Sequence, residues 1–583
     1  MHTGDIKPGN VLKYIRLATL WISFFTILIF IYNHGIDRDA FSDRLLLSII
    51  ALVYFGGLVS IALRHLRAKP RPSSKVMVFD SIMGFFLIAV ISGTAGLHLL
   101  DFMDHWAFVY LGVFMVFLRE FSTIRSNRRM RYLNPAQLFV FTYIAIILLG
   151  TALLMLPLAT FTGISFTDAL FTSTSAFCIT GLIIAETGTY FTVFGQVVIM
   201  ILFQLGGIGI MTFTSFFGYF FSGSASYGNQ LLLKDMTSSE KIAEVFQTVR
   251  IIMLFTFVIE AIGAVSIYFS LDREIIEPLD ERIFFSVFHA ISGFCSAGFT
   301  TMTGSLYNEA FRFNYSLHLV IAFLFIAGGL GFPIVYNFFR YLRHYLLNRI
   351  LKERSLHVAW VININTRIVV LTSLALLVLG TFFFYILEYD NTLAAHDGAG
   401  KIITAFFGAA TPRSAGFNTV DTSALLLPTL MMVMLLMWIG AGPASTGGGI
   451  RVTAFAVAVM NVVSIARGKD RIEVFGREVS DSSVRRAFAV ILFSVIVIGA
   501  SVFIIAIVEP DRELLPVAFE CFSAYGTVGL SMGITSELSD ISKLVIIFNM
   551  FTGRISMIII MVAIIRKVKH LNYRYPEENI SIN

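Results

Sequence analysis

One short sequence signature occurs four times along the chain and constrains the fold more than any other feature. The four copies are SAFCITGL (175–182), SGFCSAGF (292–299), ATPRSAGF (410–417) and SAYGTVGL (523–530). Their shared glycines, Gly181, Gly298, Gly416 and Gly529, are 117, 118 and 113 residues apart. Four copies at a nearly constant spacing indicate an internal repeat.

Composition places the chain in a membrane. Of the 583 residues, 57% are hydrophobic and only 14% are charged, with a mean hydropathy of +0.81. A soluble protein cannot bury that much apolar surface, so we expect most of it to face lipid or other membrane helices. The three cysteines are too few for a disulfide scaffold, and no signal peptide is evident.

Apolar runs divide the chain into an N-terminal part and four similar units. Runs near 14–32, 45–63, 77–98 and 106–118 precede the repeats. Each unit then has a first spanning run, a short apolar segment that ends in the signature, and a second spanning run. The first runs lie near 136–158, 249–271, 366–388 and 486–508, and the second near 194–221, 317–339, 429–462 and 543–565. The predicted divisions are 1–131, 132–235, 236–355, 356–475 and 476–583.

The short segments, near 167–178, 284–294, 400–411 and 515–524, cannot cross a bilayer, which takes about 20 helical residues. We predict that they are re-entrant half-helices. The backbone after each is acceptable at membrane depth only where it is buried in protein or lines a water-filled cavity. The expected fold is therefore all-α, with four repeats around a pore of approximate fourfold symmetry and about four extra helices before them.

The distribution of basic residues predicts the orientation. With both termini in the cytoplasm, 32 of the 43 Lys and Arg fall on the inner side, as in other multi-pass proteins. The net charge of +6 is therefore a topology signal and does not indicate nucleic-acid binding. The same orientation places 23 of the 37 acids outside. They would raise the local cation concentration at the outer face. The alternative is that acidic segments are outside because they cross the membrane easily.

The signature suits cation coordination. A pore that strips water from a cation must replace it with backbone carbonyls, and glycine tolerates the backbone angles and close packing that this requires. The negative C-terminal ends of the half-helices would face the same cavity. Candidate ion-binding residues, through their carbonyls, are Cys178, Ile179, Thr180, Gly181, Cys295, Ser296, Ala297, Gly298, Arg413, Ser414, Ala415, Gly416, Gly526, Thr527, Val528 and Gly529.

At these residues the chain resembles the pore-forming membrane subunits of the Trk/Ktr/HKT superfamily of potassium transporters. ATPRSAGFNTVD (410–421) and SAYGTVGLS (523–531) are similar to the family's third and fourth filter loops. Similarity continues in QLGGIGIMTF (204–213), IAGGLGFP (326–333), IGAGPASTGGGIRVTAF (439–455) and RIEVFGREVSDSSVRRAFAVI (471–491). It covers residues 131–570, whereas four extra N-terminal helices depart from the bacterial pattern and leave the Trk or Ktr subfamily open.

The resemblance implies potassium uptake across the bacterial inner membrane, a homodimer of pores and a separate cytosolic ring subunit that binds nucleotides. The basic inner loops would otherwise serve only orientation and contact with anionic lipid. Plant relatives that carry Ser at the first-loop glycine are associated with Na⁺, and Gly181 keeps the potassium form. No organic cofactor is expected.

The sequence disfavours two functions other than a potassium channel. A sodium-coupled or sodium-permeable secondary transporter usually has inverted repeats, whereas these four run in the same direction. A pump or enzyme is disfavoured because no G-x-x-x-x-G-K-[ST] or H-E-x-x-H string occurs.

A gate is predicted below the filter. Gly440, Gly442, Pro443 and Gly447, Gly448 and Gly449 interrupt the run 429–462, either as a movable loop or as close helix packing. Arg554 falls at similar depth, where it would pair with an acid or repel cations.

Five further side chains have less specific expectations. Cys178 and Cys295 occupy equivalent positions, and we expect small side chains packed behind carbonyls rather than a soft-metal site. Glu260 should pair with a neighbouring polar group, and Asp421 either collects cations or caps backbone. His289 is expected to be a buried, hydrogen-bonded side chain.

Overall fold

A computed structural model describes most of the chain. The described residues are 18–26, 29, 40–67, 74–94, 106–121, 135–208, 245–272, 275–332, 334–335, 337–338, 341, 364–443, 445–555 and 559–561. Both chain termini, which the sequence predicts to be cytoplasmic, lie outside the described residues.

Four helices come before the repeats, close to the predicted runs. They are α1 (18–26), α2 (Ala40–Arg67), α3 (Ser74–Thr94) and α4 (Trp106–Phe121). Their shared core includes Tyr54, Leu87 and Val113. The side chain of Asp80 is fully buried in this unit and receives two hydrogen bonds from Arg119, at 2.6 and 2.8 Å.

Each predicted unit contains a first helix of 20–28 residues, a short middle helix of 12–17 residues, and a second helix of 15–16 residues that is split in two in the third unit. The first helices are α5 (Pro135–Leu154), α9 (Val245–Ser270), α12 (Ile364–Glu388) and α16 (Asp481–Val508). The short helices are α6 (Phe166–Phe177), α10 (Leu279–Cys295), α13 (Ala399–Ala410) and α17 (Leu514–Gly526). The second helices are α8 (Val193–Gly207), α11 (Tyr315–Leu330), the pair α14 (Leu427–Ile439) and α15 (Val452–Ala466), and α18 (Asp540–Ile555). The one-turn helix α7 (Thr187–Tyr190) precedes α8.

The short helices form a closed ring. Each short helix packs on at least one of the longer helices of its own unit. Three of them also pack on the second helix of the preceding unit: α10 on α8, α13 on α11, and α17 on α14. The cycle closes because α6 packs on α18, the second helix of the last unit. Lys543 of α18 and Asp168 of α6 join the two ends of this cycle through a 2.7 Å ion pair.

The outer helices face the lipid. Among the described residues, three helices are long and apolar enough to cross a membrane by themselves, over Arg250–Ser270, Ile364–Glu388 and Asp481–Val508. Only 22% to 28% of their most apolar windows is buried, so their remaining surface is available to acyl chains. The short helices are more buried than the first helices; α6, for example, is buried continuously from Phe171 to Phe177.

The second helices are less continuous than the sequence predicts. The interruption of 429–462 is present, because residues 440–451 form a loop between α14 and α15. The run predicted near 317–339 is helical with one break: α11 ends at Leu330, Gly331 has φ +90°, outside the helical region, and the described residues 332, 334–335 and 337–338 are helical again. The part of the predicted run 194–221 beyond residue 208 lies outside the described residues. After α15, the two-residue strands β1 (Glu473–Val474) and β2 (Arg477–Glu478) pair antiparallel.

Candidate functional site: four loops around a glycine ring

Each short helix ends in a tight loop that carries the sequence signature. Loops 1, 2 and 4 place Ile179, Ser296 and Thr527 at φ of 57°, 58° and 48°, in the left-handed region. This conformation ends the helices, and the amide of the next residue donates back into the last turn: Thr180 to Ser175 O, Ala297 to Ser292 O and Val528 to Ser523 O, at 2.8–2.9 Å. A left-handed β-branched residue costs energy, and such strain is concentrated at functional sites.

Hydroxyl groups hold the loops against the helix ends. Ser175, Ser292 and Thr411 donate to the carbonyls of Leu182, Phe299 and Phe417, at 2.7, 2.7 and 2.9 Å. In loop 4, Ser523 Oγ instead accepts from the Gly529 amide at 3.1 Å. Each loop therefore returns past its own helix in a fixed extended path.

The four signature glycines meet one another in a ring. A Cβ on Gly181 would lie 2.5 Å from Ala297 O, and one on Gly298 would lie 2.7 Å from Ala415 O. A Cβ on Gly416 would lie 2.1 Å from Val528 O, and one on Gly529 would lie 2.2 Å from Thr180 O, which closes the cycle. All four glycines also have φ between 71° and 95°. No other residue fits these positions without moving backbone, since real Cβ atoms do not approach that closely.

Loop 3 is built differently from the other three. Pro412 lies in a 3₁₀ turn, Thr411–Arg413, and Ser414 has an extended φ of 174°. Arg413 extends away from the ring and donates to the carbonyl and hydroxyl of Ser373 on α12, at 3.2 and 3.0 Å. The Arg413 side chain thus braces the loop against an outer helix.

A cavity of about 450 Å³ lies against the ring, and its lining consists largely of residues that follow the signature loops in the chain. Its lining includes all four signature glycines, together with the acids Glu186 and Asp421. Asp421 Oδ1 also accepts from the amide and hydroxyl of Ser423, at 2.9 and 2.7 Å, so it caps local backbone while facing the cavity. Burial raises the pKa of Glu186 above its ordinary value.

The predicted polar partner of Glu260 is present behind loop 2. Gln204 Nε2 on α8 donates to Glu260 Oε2 at 3.0 Å, and Cys295 Sγ lies 3.5 Å from Gln204 Oε1 and 3.8 Å from Glu260 Oε1. Cys178 is fully buried in the central hydrophobic core. Among the described residues, no group of three His, Cys, Asp or Glu side chains is arranged to hold a metal ion.

His289 satisfies only half of the expectation for it. Its Nδ1 lies 2.8 Å from Phe285 O, whereas the buried Nε2 has no hydrogen-bond partner in the described part of the chain.

The loop between α14 and α15, residues 440–451, lies directly against the inner side of the signature loops. Thr446 Oγ1 is 3.0 Å from Ser296 Oγ in loop 2. A Cβ on Gly447 would lie 2.8 Å from Ser414 Cβ in loop 3, and one on Gly448 would lie 2.3 Å from Thr527 Oγ1 in loop 4. Gly449, at φ +70°, turns the chain back toward α15.

Two arginines, the half-buried Arg451 and the buried Arg554, hold this loop in place. Arg451 Nη1 donates to Gly442 O, Ser445 Oγ and Gly447 O, at 3.2, 3.2 and 2.5 Å. Arg554 donates to Thr446 O and, at 2.6 Å, to Gly206 O on α8. Among the residues that the structure describes, Arg554 forms no ion pair with an acid; the two roles expected for it, pairing with an acid and repelling cations, stay predictions.

A match to a protein-family model identifies the family of this chain. The TrkH family, described as "Cation transport protein", matches residues 104–572. The chain belongs to this family.

Two relatives and one solved structure agree with the TrkH assignment. The chain is 35% identical to "Ktr system potassium uptake protein B" of Bacillus subtilis over 462 residues, 79% of this chain and 99% of that protein. It is 34% identical to "Potassium/sodium uptake protein NtpJ" of Enterococcus hirae, over 79% of this chain and all of that protein. The fold matches the crystal structure of the potassium transporter TrkH from Vibrio parahaemolyticus with a TM-score of 0.60 at 14% identity, over 94% of this chain and 97% of that one.

These comparisons confirm the superfamily predicted from the signature loops, and with it a multi-pass membrane transport protein. The family match begins at residue 104, so most of the N-terminal helices precede it. Sequence reasoning did not find Gln204 or Thr446. Both are ordinary polar residues in apolar surroundings, and their positions beside Glu260 and Arg554 depend on contacts between units.

Proposed function

We propose that this TrkH-family chain conducts K⁺ through a pore at the centre of its four repeats, with the carbonyls of the signature loops as the selectivity filter. The glycine ring carries the proposal, because each glycine is packed against a carbonyl-bearing residue of the next loop. Four loops of one chain then surround a single axis with approximate fourfold symmetry, and carbonyl rings of this kind replace the hydration shell of K⁺. The relatives named as potassium uptake proteins support the choice of ion.

The filter would comprise residues 178–181, 295–298, 413–416 and 526–529, with the cavity against the ring as the entrance. Glu186 and Asp421 make that entrance acidic, which raises the local cation concentration. Sodium permeation is the second candidate, since one relative is named a potassium/sodium uptake protein.

We further propose that the loop 440–451 is the gate. It crosses the inner side of loops 2, 3 and 4, and Arg554 ties it to α8. A permanent positive charge there would repel a cation leaving the filter. Displacement of the loop would break the Arg554 hydrogen bond to Thr446 and open the path inward.

The proposed setting is the bacterial inner membrane, with both termini in the cytoplasm. We propose a homodimer of pores and a cytosolic ring subunit that binds nucleotides, in keeping with the word "system" in the names of the Ktr relatives. Copurification with a nucleotide-binding protein encoded nearby would support that partner. A monomer whose flux is full and insensitive to nucleotides would contradict it.

Ion uptake in a potassium-uptake-deficient strain tests the filter. The wild-type chain should restore growth at low K⁺ and take up K⁺ and Rb⁺ in preference to Na⁺. Gly181→Ser and Gly416→Ser should each reduce the uptake rate or its preference for K⁺ over Na⁺. If both variants are present at wild-type levels in the membrane and neither rate nor selectivity changes, the filter assignment is wrong.

A further inference from the structure

A second cavity, of about 170 Å³, lies beside the glycine ring and away from the ion path. It is lined by α11, α12 and the end of α13, and includes Phe325, Leu330, Val370, Leu374 and Leu377. Val370 and Leu374 are 40% and 55% exposed on the outer surface of α12. The cavity therefore opens toward the lipid.

Arg413 lies in this apolar cavity, and no described residue provides a counter-charge for it. Its hydrogen bonds within the described part of the chain go to the carbonyl and hydroxyl of Ser373. The buried Arg413 Nε has no hydrogen-bond partner among the described residues. An intramembrane charge is normally paired with an opposite charge, and guanidinium groups match carboxylates in geometry.

The depth of Arg413 selects among anionic ligands. Its partner Ser373 is six residues beyond Arg367 along α12, about 9 Å further into the apolar part of the helix at 1.5 Å per residue. A phospholipid phosphate is restricted to the headgroup region outside the hydrocarbon core, which is about 30 Å thick. The cavity, at about 170 Å³, also has room for a single alkyl chain and a small carboxylate but not for the two chains and headgroup of a phospholipid.

We propose that this cavity binds a long-chain fatty-acid anion, with its carboxylate on Arg413 and its alkyl chain along Val370, Leu374 and Leu377. The cavity wall also includes Ser414 of loop 3 and Ala441 of the α14–α15 loop. Gly447 of that loop packs against both of these residues. A ligand here contacts the proposed filter and the proposed gate together, so its occupancy changes K⁺ flux. The binding claim is independent of the proposed function, whereas the effect on flux rests on it.

Binding is tested with radiolabelled oleate on the purified full-length protein in nanodiscs. Oleyl alcohol has the same chain without the charge, and we expect it to compete about tenfold less well, since hydrogen bonds to charged groups are the stronger ones. Leu374→Trp fills the cavity mouth and should lower oleate affinity about tenfold or more. Leu379→Trp is the matched control, because Leu379 is 54% exposed on the same helix but is not in the cavity lining. Its affinity should remain at the wild-type value.

Three results would overturn the fatty-acid site: equal binding by wild type and Leu374→Trp, equal competition by oleyl alcohol, or displacement of oleate by phosphatidylglycerol at equal concentration. The last would identify a phospholipid site, and loss of oleate binding only in the dimer would show that a second copy fills the cavity. In proteoliposomes, oleate should change wild-type Rb⁺ flux and leave Leu374→Trp flux unaltered. Normal oleate binding with no flux in any preparation would instead count against the proposed function.

Discussion

The glycine ring and the layer directly beneath it use the same four repeats in opposite ways. In the ring, Gly181, Gly298, Gly416 and Gly529 have similar φ values and equivalent neighbours. In the layer beneath, Gly206–Gly207, Gly328–Gly329 and Gly553–Arg554 lie on second helices, and Gly440–Ala441 directly follows α14. A Cβ on Gly206, Gly328 or Gly553 would contact a carbonyl at the end of the short helix of the same unit, at Phe177, Phe294 and Tyr525. Gly440 presses instead on its own loop, near Gly448 O and Ile450 O.

The difference separates the two physical requirements of the proposed function, a filter and a gate. Coordination of a spherical ion favours equivalent carbonyls from all sides, so the repeats remain alike where their loops meet. Control of passage requires an element with two positions, and one loop of one repeat is enough. The asymmetry is therefore concentrated in the third repeat, which supplies the loop, and the fourth, which supplies Arg554.

The largest effect should come from adding a side chain to a glycine of the ring. Gly181→Ala places a methyl group 2.5 Å from Ala297 O, and we expect uptake to fall by about two orders of magnitude because the neighbouring loop must move. Gly163→Ala is the matched control. Gly163 has φ +82° against +83° for Gly181, but nothing lies within 4 Å of its Cβ position. Rb⁺ uptake normalised to the amount in the membrane is the measurement, and equal losses in both variants would show that backbone strain, not ring packing, is responsible.

The loop beneath the ring should act in the opposite direction. Deletion of 445–449 removes the carbonyl that Arg554 binds and should raise unregulated K⁺ flux about tenfold, in line with the loss of a hydrogen bond to a charged group. Arg554→Ala should raise flux more modestly, since the loop keeps its Arg451 hydrogen bonds. Single-turnover or steady-state Rb⁺ efflux from proteoliposomes measures both. A deletion protein that folds normally with unchanged flux and regulation would leave helix packing as the role of this segment.

The polar support behind loop 2 should affect stability before it affects transport. Glu260→Ala leaves Gln204 Nε2 without its carboxylate, and we expect a loss of about 1–3 kcal/mol, the typical cost of an unsatisfied buried group. Glu260→Gln keeps a side-chain carbonyl and should lose less. Thermal unfolding in detergent compares the two, with Cys295→Ser as a conservative control. Identical midpoints for Glu260→Ala and wild type would show that this contact does not support the loop.

The smallest effect should come from the proposed entrance cavity. Because burial raises the pKa of Glu186, this carboxyl takes up a proton at a higher pH than an exposed acid does as the pH falls. The entrance then loses one negative charge, and we expect the apparent affinity for K⁺ to drop two- to threefold at low ionic strength. Glu186→Gln should show the weaker affinity at every pH and a flatter pH profile. Glu277→Gln, an exposed acid that does not line the cavity, should behave as wild type; a matching loss there would indicate a general surface-charge effect.

Sequence alone predicts the repeat and its principal parts. The approximate positions of the four short helices followed from segment length and the glycine signature, because a bilayer gives apolar segments few alternatives. However, α10 begins at Leu279, earlier than the predicted 284. The break in 429–462 followed from six Gly and Pro residues, whose effect on a helix is local. The superfamily followed from the loops themselves. In contrast, the single Gly331 that ends α11 was not predicted, since an isolated glycine in an apolar helix is common in membranes.

Which residues of different units contact one another is visible in the folded structure alone. The ring contacts join residues more than 110 positions apart, as from Gly181 to Ala297, and depend on the cyclic order in which the repeats pack. The partners of Glu260 and Arg554 are set in the same way, by helices of other units. Arg413 was expected in the filter through its backbone, but its side chain turns outward to Ser373 and a lipid-facing cavity. Local sequence fixes where a helix starts and stops, whereas the direction of a side chain at a loop depends on which helix is packed beside it.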